Sequence, residues 1–372
     1  MVEEGERCRV LWLAKGLGQG GMERLLVTHA RFGDRERFDY RAAHLVDRPY
    51  TVVSELRDLD VEVTRLGTGV ASDPRWVRDL ARLVRREQID VVHVHSPAPA
   101  SVARPLLRAV SPRTRLVYTE HNRWDRYSRP TRWANMLTYR LDHTTLAVSD
   151  DCRSTVSPRL RGRVETLVHG IDIDGLVPHR ADRNRMRDEL GIADGTVVIG
   201  TVANLRSQKN YPLLLQVARQ ITDVDPNVVF LSVGQGPLEA DLRALHGRLG
   251  LGDRFRFLGF RSDVHSVMSA FDIFCLSSDF EGLPVALMEA MSLGLPVVAT
   301  SVGGVADAVV PGRDGVLVPP NDAGALADAL GTLSSDHDQR QRLAAAPDIV
   351  AARFDARRTV ACLEAAYLAG VE

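Results

Sequence analysis

The sequence predicts an α/β protein made of two successive, doubly wound parallel sheets with helices on both faces. Three observations lead there. Short apolar runs of strand length alternate with stretches of helical period, the pattern of parallel strands joined by crossover helices. The alternation breaks once, at the Arg- and Asp-rich segment "PHRADRNRMRDELGIADG", which reads as a linker with a short helix, and then resumes. The 372 residues exceed one ordinary core but suit two, of roughly 150 to 200 residues each. The domains read this way are 1–180 and 181–355. A helix-like piece, 356–372, is left to pack on either, with a return to the first domain as the expectation.

The elements follow in order. "CRVLWLA" opens a strand at 8–13, and its glycine-rich exit leads into a helix at 21–32. Further apolar runs give strands at 40–46, 61–66, 90–95, 115–119 and 144–148. Helical periods separate them at 51–59, 75–87, 98–110, 131–141 and 150–157. After the polar break, strands are expected at 196–203, 228–233, 254–258, 272–276, 296–299 and 315–318, again with helices between. In open parallel sheets ligands sit beyond the carboxyl ends of the strands, at the point where the strand order reverses. Two such domains facing each other would form a cleft, so loops just after strands are the ones to examine.

Composition narrows the function classes. With 45% apolar and 26% charged residues the chain reads as soluble and globular, and no run approaches the ~20 apolar residues of a membrane span. The opening "MVEEGERC" lacks the basic and apolar regions of a signal peptide, which makes the cytoplasm the expected location. Cys8, Cys152, Cys275 and Cys362 stand singly, so free buried thiols are expected in place of disulfides or a zinc site. Charge is uneven, with 30 basic against 24 acidic residues over 1–180 and 17 against 24 over the remainder. Between 75 and 140 it sharpens to 14 against 5, interleaved with Trp76, Trp124, Tyr127, Trp133 and Tyr139. Such a surface suits peripheral contact with anionic headgroups at the inner face of a membrane, or attraction of an acidic acceptor. The competing reading is a solvated face whose arginines pair locally. Nucleic acid is not an expected partner.

Gly16, Gly18 and Gly21 spell G-x-G-x-x-G between the first strand and the first helix, where free backbone amides and the helix dipole favour an anion. Three readings stay open on these residues alone. A dinucleotide would use Asp47, at the end of the second strand, for a ribose; Glu23, in the helix's first turn, opposes it. The others are a structural tight turn and a phosphate or sugar site.

The most informative stretch is "FCLSSDFEGLPVALMEAMSLGLPVVAT", residues 274 to 300. A buried-type strand gives way to a polar loop and a helix that begins at Leu283 or Pro284, proline being favoured at the first helical position. Glu281 then lies at the strand's carboxyl end, and Glu289 follows about two helical turns later. Free amides of Gly282, Leu283 and the residues after Pro284 suit phosphate or hydroxyl oxygens. Two carboxylates beside an anionic nucleotide make sense as acceptors for ribose and sugar hydroxyls. The alternative for Glu289 is an ordinary salt-bridged helical glutamate.

These residues carry a resemblance. The Glu281/Glu289 pair, the following "AMSLGLPVVAT" and the glycines 303 and 304 resemble the donor-site motif of the retaining glycosyltransferases of family 4. Across the chain "GGMER", "TEH" ending at His121, "AVSD", "HGID", "ANLRSQKN", "VGQGP" and "FLGF" fall in that family's order. The resemblance implies the GT-B fold, two facing Rossmann-like domains with an interdomain cleft. It implies that Glu289 holds ribose hydroxyls and Glu281 contacts the transferred sugar. Arg206 and Lys209 grip the pyrophosphate, and Gly20 and Gly21 line the donor phosphate. Gly259, Phe260, Gly282, Leu283 and Pro284 complete the donor site, and His121 lies near the reacting carbon. His93 and His95 share a strand face, with His95 either bordering the acceptor or a packed neutral histidine. His169 stands where the family usually has Asn, and Leu276 where it usually has Pro.

The opening glycine loop is thereby assigned to a nucleotide sugar. The expected activity is retaining, metal-independent transfer of glucose or N-acetylglucosamine from a UDP-sugar, a co-substrate with no further cofactor. A GDP-sugar is the alternative donor. The hydroxyl acceptor would be lipid-linked, a polysaccharide or a small aminocyclitol or natural product. Asp58/Asp60, Asp172/Asp174 and Asp223/Asp225 form Asp-x-Asp pairs without the placement of a metal site. The rival classes are a nicotinamide-dependent oxidoreductase, a nucleotide-sugar epimerase and a non-catalytic nucleotide-sugar binder.

Overall fold

The computed structural model describes residues 7–70, 72–344 and 347–369. The chain divides into two compact units: unit 1 runs to Gly170 and resumes at Ala356, and unit 2 is Ile171–Asp355.

Unit 1 holds seven strands, β1 Cys8–Gly16, β2 Phe38–Val46, β3 Glu62–Arg65, β4 Val91–Val94, β5 Arg115–Glu120, β6 Thr144–Ala147 and β7 Val164–Thr166. All pairings are parallel, in the order β3-β2-β1-β4-β5-β6-β7. The chain builds outward from β1 to β3, then returns to β4 on the other side of β1, so the switch point lies beyond the ends of β1 and β4. Val10 to Ala14 are all buried, as a strand covered on both faces requires. The short strand β7 was not anticipated.

The helix Ala356–Leu368 packs on the helix Gly21–Phe32 and completes unit 1's core. Its Tyr367 lies among His29, Phe38 and His93 and accepts a hydrogen bond from Trp12 Nε1 at 3.4 Å. Its Glu364 accepts from the Tyr40 hydroxyl and from the Asp34 amide at 2.7 Å.

Three aromatic residues of the basic stretch of unit 1 turn inward, while most of its arginines stay exposed. Trp76, Trp124 and Tyr139 are buried, and the Tyr127 hydroxyl donates to Glu120. Arg104 is fully buried, paired with Asp142 at 2.7 Å and seated over the rings of Tyr118 and Tyr139. The exposed large apolar residues from 124 to 140 are Trp133 and Leu137.

Unit 2 repeats the plan with β8 Val197–Val202, β9 Val228–Val233, β10 Phe255–Gly259, β11 Ile273–Leu276, β12 Val297–Thr300 and β13 Gly315–Val318. They are parallel in the order β10-β9-β8-β11-β12-β13, so β8 and β11 flank the switch point. Gly200 on β8 is required by packing, because a Cβ there would lie 2.0 Å from the Phe271 ring.

The Arg-rich segment expected to be a linker is an integral part of this unit. Arg183 donates to the carbonyls of Ser269 and Phe271 and pairs with Asp272, while Arg187 reaches Asp272 and the Thr196 carbonyl. Its charge is directed at main-chain acceptors that would otherwise lack partners.

Cys8, Cys152 and Cys275 are buried free thiols pushed up to about 12 by desolvation, whereas Cys362 is free but exposed, contrary to the expectation. Among the described residues no helix is long and apolar enough to cross a membrane.

Candidate functional site

In unit 2 the loops leaving β8 and β11 are stitched to each other. After β8 the chain makes a tight turn, Ser207–Lys209, and Asn210 adopts the left-handed conformation at φ 45°. Asparagine tolerates that geometry because its short side chain bonds locally. Its Oδ1 caps the helix Tyr211–Val224 at the Leu213 amide, and its Nδ2 donates to Asp279 Oδ1 and Asn321 Oδ1, both at 2.8 Å. Ser277 Oγ donates to the Lys209 carbonyl at 2.9 Å, and the Asp279 amide to the Gln208 carbonyl at 2.8 Å. The "VGQGP" loop presses on the same turn. A Cβ on Gly234, at φ 138°, would come within 2.1 Å of the Ala203 carbonyl oxygen, and one on Gly236 within 2.5 Å of that of Leu205.

Glu281 sits at the centre of this framework and is 4% exposed. Its carboxylate accepts from Lys209 Nζ, from Ser278 Oγ at 2.5 Å and from Gln208 Nε2 at 3.2 Å. Burial of a carboxylate is tolerable only with such charge-assisted partners. Arg206 behaves differently: it is exposed, and its side chain forms no ion pair or hydrogen bond among the described residues. The two expected diphosphate cations are therefore not equivalent, one being held on a carboxylate and the other directed to solvent.

The helix Val285–Ser292 starts one residue later than expected, with Pro284 as its N-cap at ψ 117° and not as its first helical residue. Its first turn carries no acidic side chain, which leaves the positive end of its dipole unopposed. The loop before it is fixed from β12, where Thr300 Oγ1 donates to the Ser278 carbonyl and the Gly304 amide to that of Gly282, at 2.6 and 2.7 Å. Glu289 on this helix accepts from His265 Nε2 at 3.1 Å. The His265 ring lies 5.7 Å from that of His179, itself anchored on Asp182 and Ser266. Glu281 and Glu289 are thus held by separate sets of partners. Gly259 ends β10 at φ 69° and its carbonyl accepts the Gly234 amide, and Phe260 follows, 39% exposed.

In unit 1, Gly20 is the N-cap of the first helix and Gly21 its first residue. Glu23 folds back over this turn, so that a Cβ on Gly20 would lie 2.5 Å from Glu23 Oε2. Asp47, the ribose candidate of the dinucleotide reading, pairs with Arg65 at 3.2 Å.

Beside this turn the switch point is lined by histidines. His93 on β4 and His95 just after it do share a face, their ring centroids 4.0 Å apart. His93 is saturated, by the Tyr367 hydroxyl and Thr119 Oγ1, each at 2.7 Å. His95 Nδ1 meets Nε2 of His121, which follows β5, at 3.1 Å. His169 stacks on His121 at 5.4 Å and 4°. Desolvation, seconded by neighbouring histidines, holds His93, His95 and His121 well below the ordinary imidazole range, and desolvation alone brings His169 down to about 4. Behind His121, the buried Glu120 is pushed up to about 7 by desolvation, against donors from Tyr127, Trp124 and Tyr118.

Sequence reasoning missed Gln208 and Ser278, although both lie in the stretches it quoted. It also missed His265, which has no local signal because it reaches Glu289 through the tertiary fold. Among the described residues no group of His, Cys, Asp or Glu is arranged to hold a metal.

Comparison with known proteins adds to this geometry. Two family models match in tandem, Glycosyltransferase Family 4 over residues 9–174 and Glycosyl transferases group 1 over 182–347. The chain is 30% identical to the 2-deoxystreptamine N-acetyl-D-glucosaminyltransferase of Streptomyces fradiae, over 93% of this chain and 86% of that one. It is 24% identical, over 85% of each chain, to the UDP-Gal:alpha-D-GlcNAc-diphosphoundecaprenol alpha-1,3-galactosyltransferase of Escherichia coli. Its fold matches that of Anabaena HepE, solved in complex with UDP and glucose, at a TM-score of 0.85 and 24% identity over 98% of this chain and 100% of the other.

Proposed function

The chain belongs to the family 4 glycosyltransferases, with the GT-B pair of Rossmann-like domains, and on that premise we propose that it transfers glucose or N-acetylglucosamine from a UDP-sugar to a hydroxyl acceptor with retention of configuration. The observation that carries this reading is the Lys209–Glu281 contact at the ends of β8 and β11, together with Arg206, a cation with no side-chain partner among the described residues.

Departure of UDP puts negative charge on the leaving phosphate oxygen. Arg206, Lys209 and the amides at the start of the helix after Pro284 stabilise that charge, so that no divalent metal is required. Glu289 accepts from the ribose, Glu281 from the transferred sugar, and Gly259, Phe260, Gly282 and Leu283 bound the nucleotide. Gly20, Gly21 and His121 act on the sugar and phosphate from unit 1. The bond from C1 to the phosphate oxygen breaks, and the acceptor oxygen bonds C1 from the same face. Its proton passes to the departing phosphate. The reading uses no carboxylate nucleophile, in contrast to retaining glycosidases.

For the acceptor we take first the hydroxyl of an aminocyclitol. The name of the Streptomyces relative supports this, as does the inward turn of Trp76, Trp124 and Tyr139, which leaves less surface for a lipid-linked substrate.

A thermal-shift panel of UDP, GDP, ADP and their sugars tests the donor, since a ligand of the native state raises apparent stability by mass action. UDP and its glucose and N-acetylglucosamine esters should raise the midpoint, and the transfer assay should be unchanged by a strong chelator. Stabilisation by GDP species alone, or loss of activity to the chelator with recovery on adding magnesium, would overturn the corresponding part.

A further inference from the structure

The contact between His95 and His121 contains more information than a packing interaction. Both rings are held neutral, since burial opposes their protonation and neighbouring histidines would repel the charge. A neutral pair meeting nitrogen to nitrogen at 3.1 Å shares one proton, and two arrangements satisfy it. Either His95 Nδ1–H donates to His121 Nε2, or His121 Nε2–H donates to His95 Nδ1.

The far side of His95 distinguishes them. Its Nε2 is sealed from solvent and has no hydrogen-bond partner among the described residues. The ring beneath it, His93, has both nitrogens engaged elsewhere and offers no acceptor. In the second arrangement the His95 proton would lie on Nε2, a buried N–H with no acceptor among the described residues, which is costly and rare in native proteins. In the first, Nε2 carries only a lone pair, the more tolerable orphan.

We infer that His95 is a positioning residue that fixes His121 as its Nδ1–H tautomer, so that His121 offers the sugar a hydrogen-bond donor and not a lone pair. The stack with His169 holds the plane in which that N–H lies. A donor there matches a sugar oxygen and cannot take the acceptor's proton, which agrees with its transfer to the departing phosphate. The inference rests on the proposed donor chemistry of His121, but the tautomer itself can be read without turnover.

The test is long-range 1H–15N NMR of the imidazoles in the full chain near neutral pH with UDP bound, for wild type, His95→Phe and His95→Asn. Wild-type His121 should show the Nδ1–H pattern. His95→Phe should lose that pattern and lower kcat about tenfold, the equivalent of one hydrogen bond, with the KM for UDP-glucose changed less than twofold. His95→Asn, whose amide N–H takes the place of Nδ1–H and can donate to His121 Nε2, should restore both. An Nε2–H pattern in wild type, an unchanged pattern in His95→Phe, or a restored pattern in His95→Asn without recovery of kcat would overturn the inference. Calorimetry with UDP separates the two levels. No binding by wild type defeats the donor reading itself, whereas binding with the wrong tautomer defeats only the role of His95.

Discussion

The two units share a ground plan and furnish its key position with opposite chemistry. In each, the first strand is central, the sheet grows outward on one side and then on the other, and the switch point lies between that strand and the one that begins the second half. Unit 1 lines this position with His93, His95, His121 and His169, all kept neutral by burial. Unit 2 lines it with charge, Lys209 on Glu281 and His265 on Glu289, beside Arg206, which is exposed. The doubly wound sheet determines where a ligand is met. What happens there is set by whether the loops bury hydrogen-bonding groups without charge or pair their charges at a partly open surface.

The largest test of this contrast is Lys209→Ala, which should lower kcat/KM with a UDP-sugar about 10²–10³-fold, the usual loss when a donor to developing negative charge is removed. A loss under tenfold in steady-state kinetics would mean that the charge of unit 2 is structural. Glu281→Ala should impair transfer more than it weakens binding of free UDP.

Acid should next separate the units. His29 and His169 titrate at about 3 and about 4 in the folded chain against 6.5 unperturbed, so the stability they confer is present above pH 6.5 and is lost as pH falls through their folded values. The loss is on the order of a few kcal/mol per buried imidazole. All four tryptophans, Trp12, Trp76, Trp124 and Trp133, belong to unit 1. Tryptophan emission should therefore change at a higher pH than the bulk of the far-UV circular dichroism. Coincident transitions would erase the distinction. Glu120 works in the opposite sense: its folded value of about 7 lies above the 4.5 of a free glutamate, so its contribution is lost as pH rises through 7.

Smaller effects sharpen the picture within unit 2. Glu289→Ala should raise the Kd for UDP about tenfold, as expected for loss of a hydrogen bond to a charged group. His265→Gln keeps a donor within reach of Glu289 but removes the ring contact with His179, and should raise it only about twofold to threefold. Isothermal calorimetry distinguishes the two, and equal effects would make His265 a ligand-contacting group in its own right.

Much of the fold was legible because strands buried on both faces read as unbroken apolar runs, as at "CRVLWLA" and "VVFLSV". The strand β7 escaped because only Val164 of its three residues is buried, too little to register as a period. The segment around Arg183 misled because arginine usually marks solvated chain, whereas its guanidinium here serves carbonyls at the end of a neighbouring helix. Within the candidate site, Glu281, Glu289, Arg206 and Lys209 were singled out by their resemblance to the motifs of a known family. The partners that define their state were not, since His265 lies 24 residues from Glu289 and Tyr367 lies 274 residues from His93. Nothing in the local pattern marks such pairings.

The return of the helix Ala356–Leu368 to unit 1 has a consequence for biosynthesis. The ribosome makes all of unit 2 as one contiguous stretch before it delivers Tyr367 and Glu364 to Trp12, Tyr40 and His93. The younger unit can close first, while the older one waits with its aromatic floor uncovered. A stalled or clipped nascent chain would accordingly present a finished second unit attached to an unfinished first one.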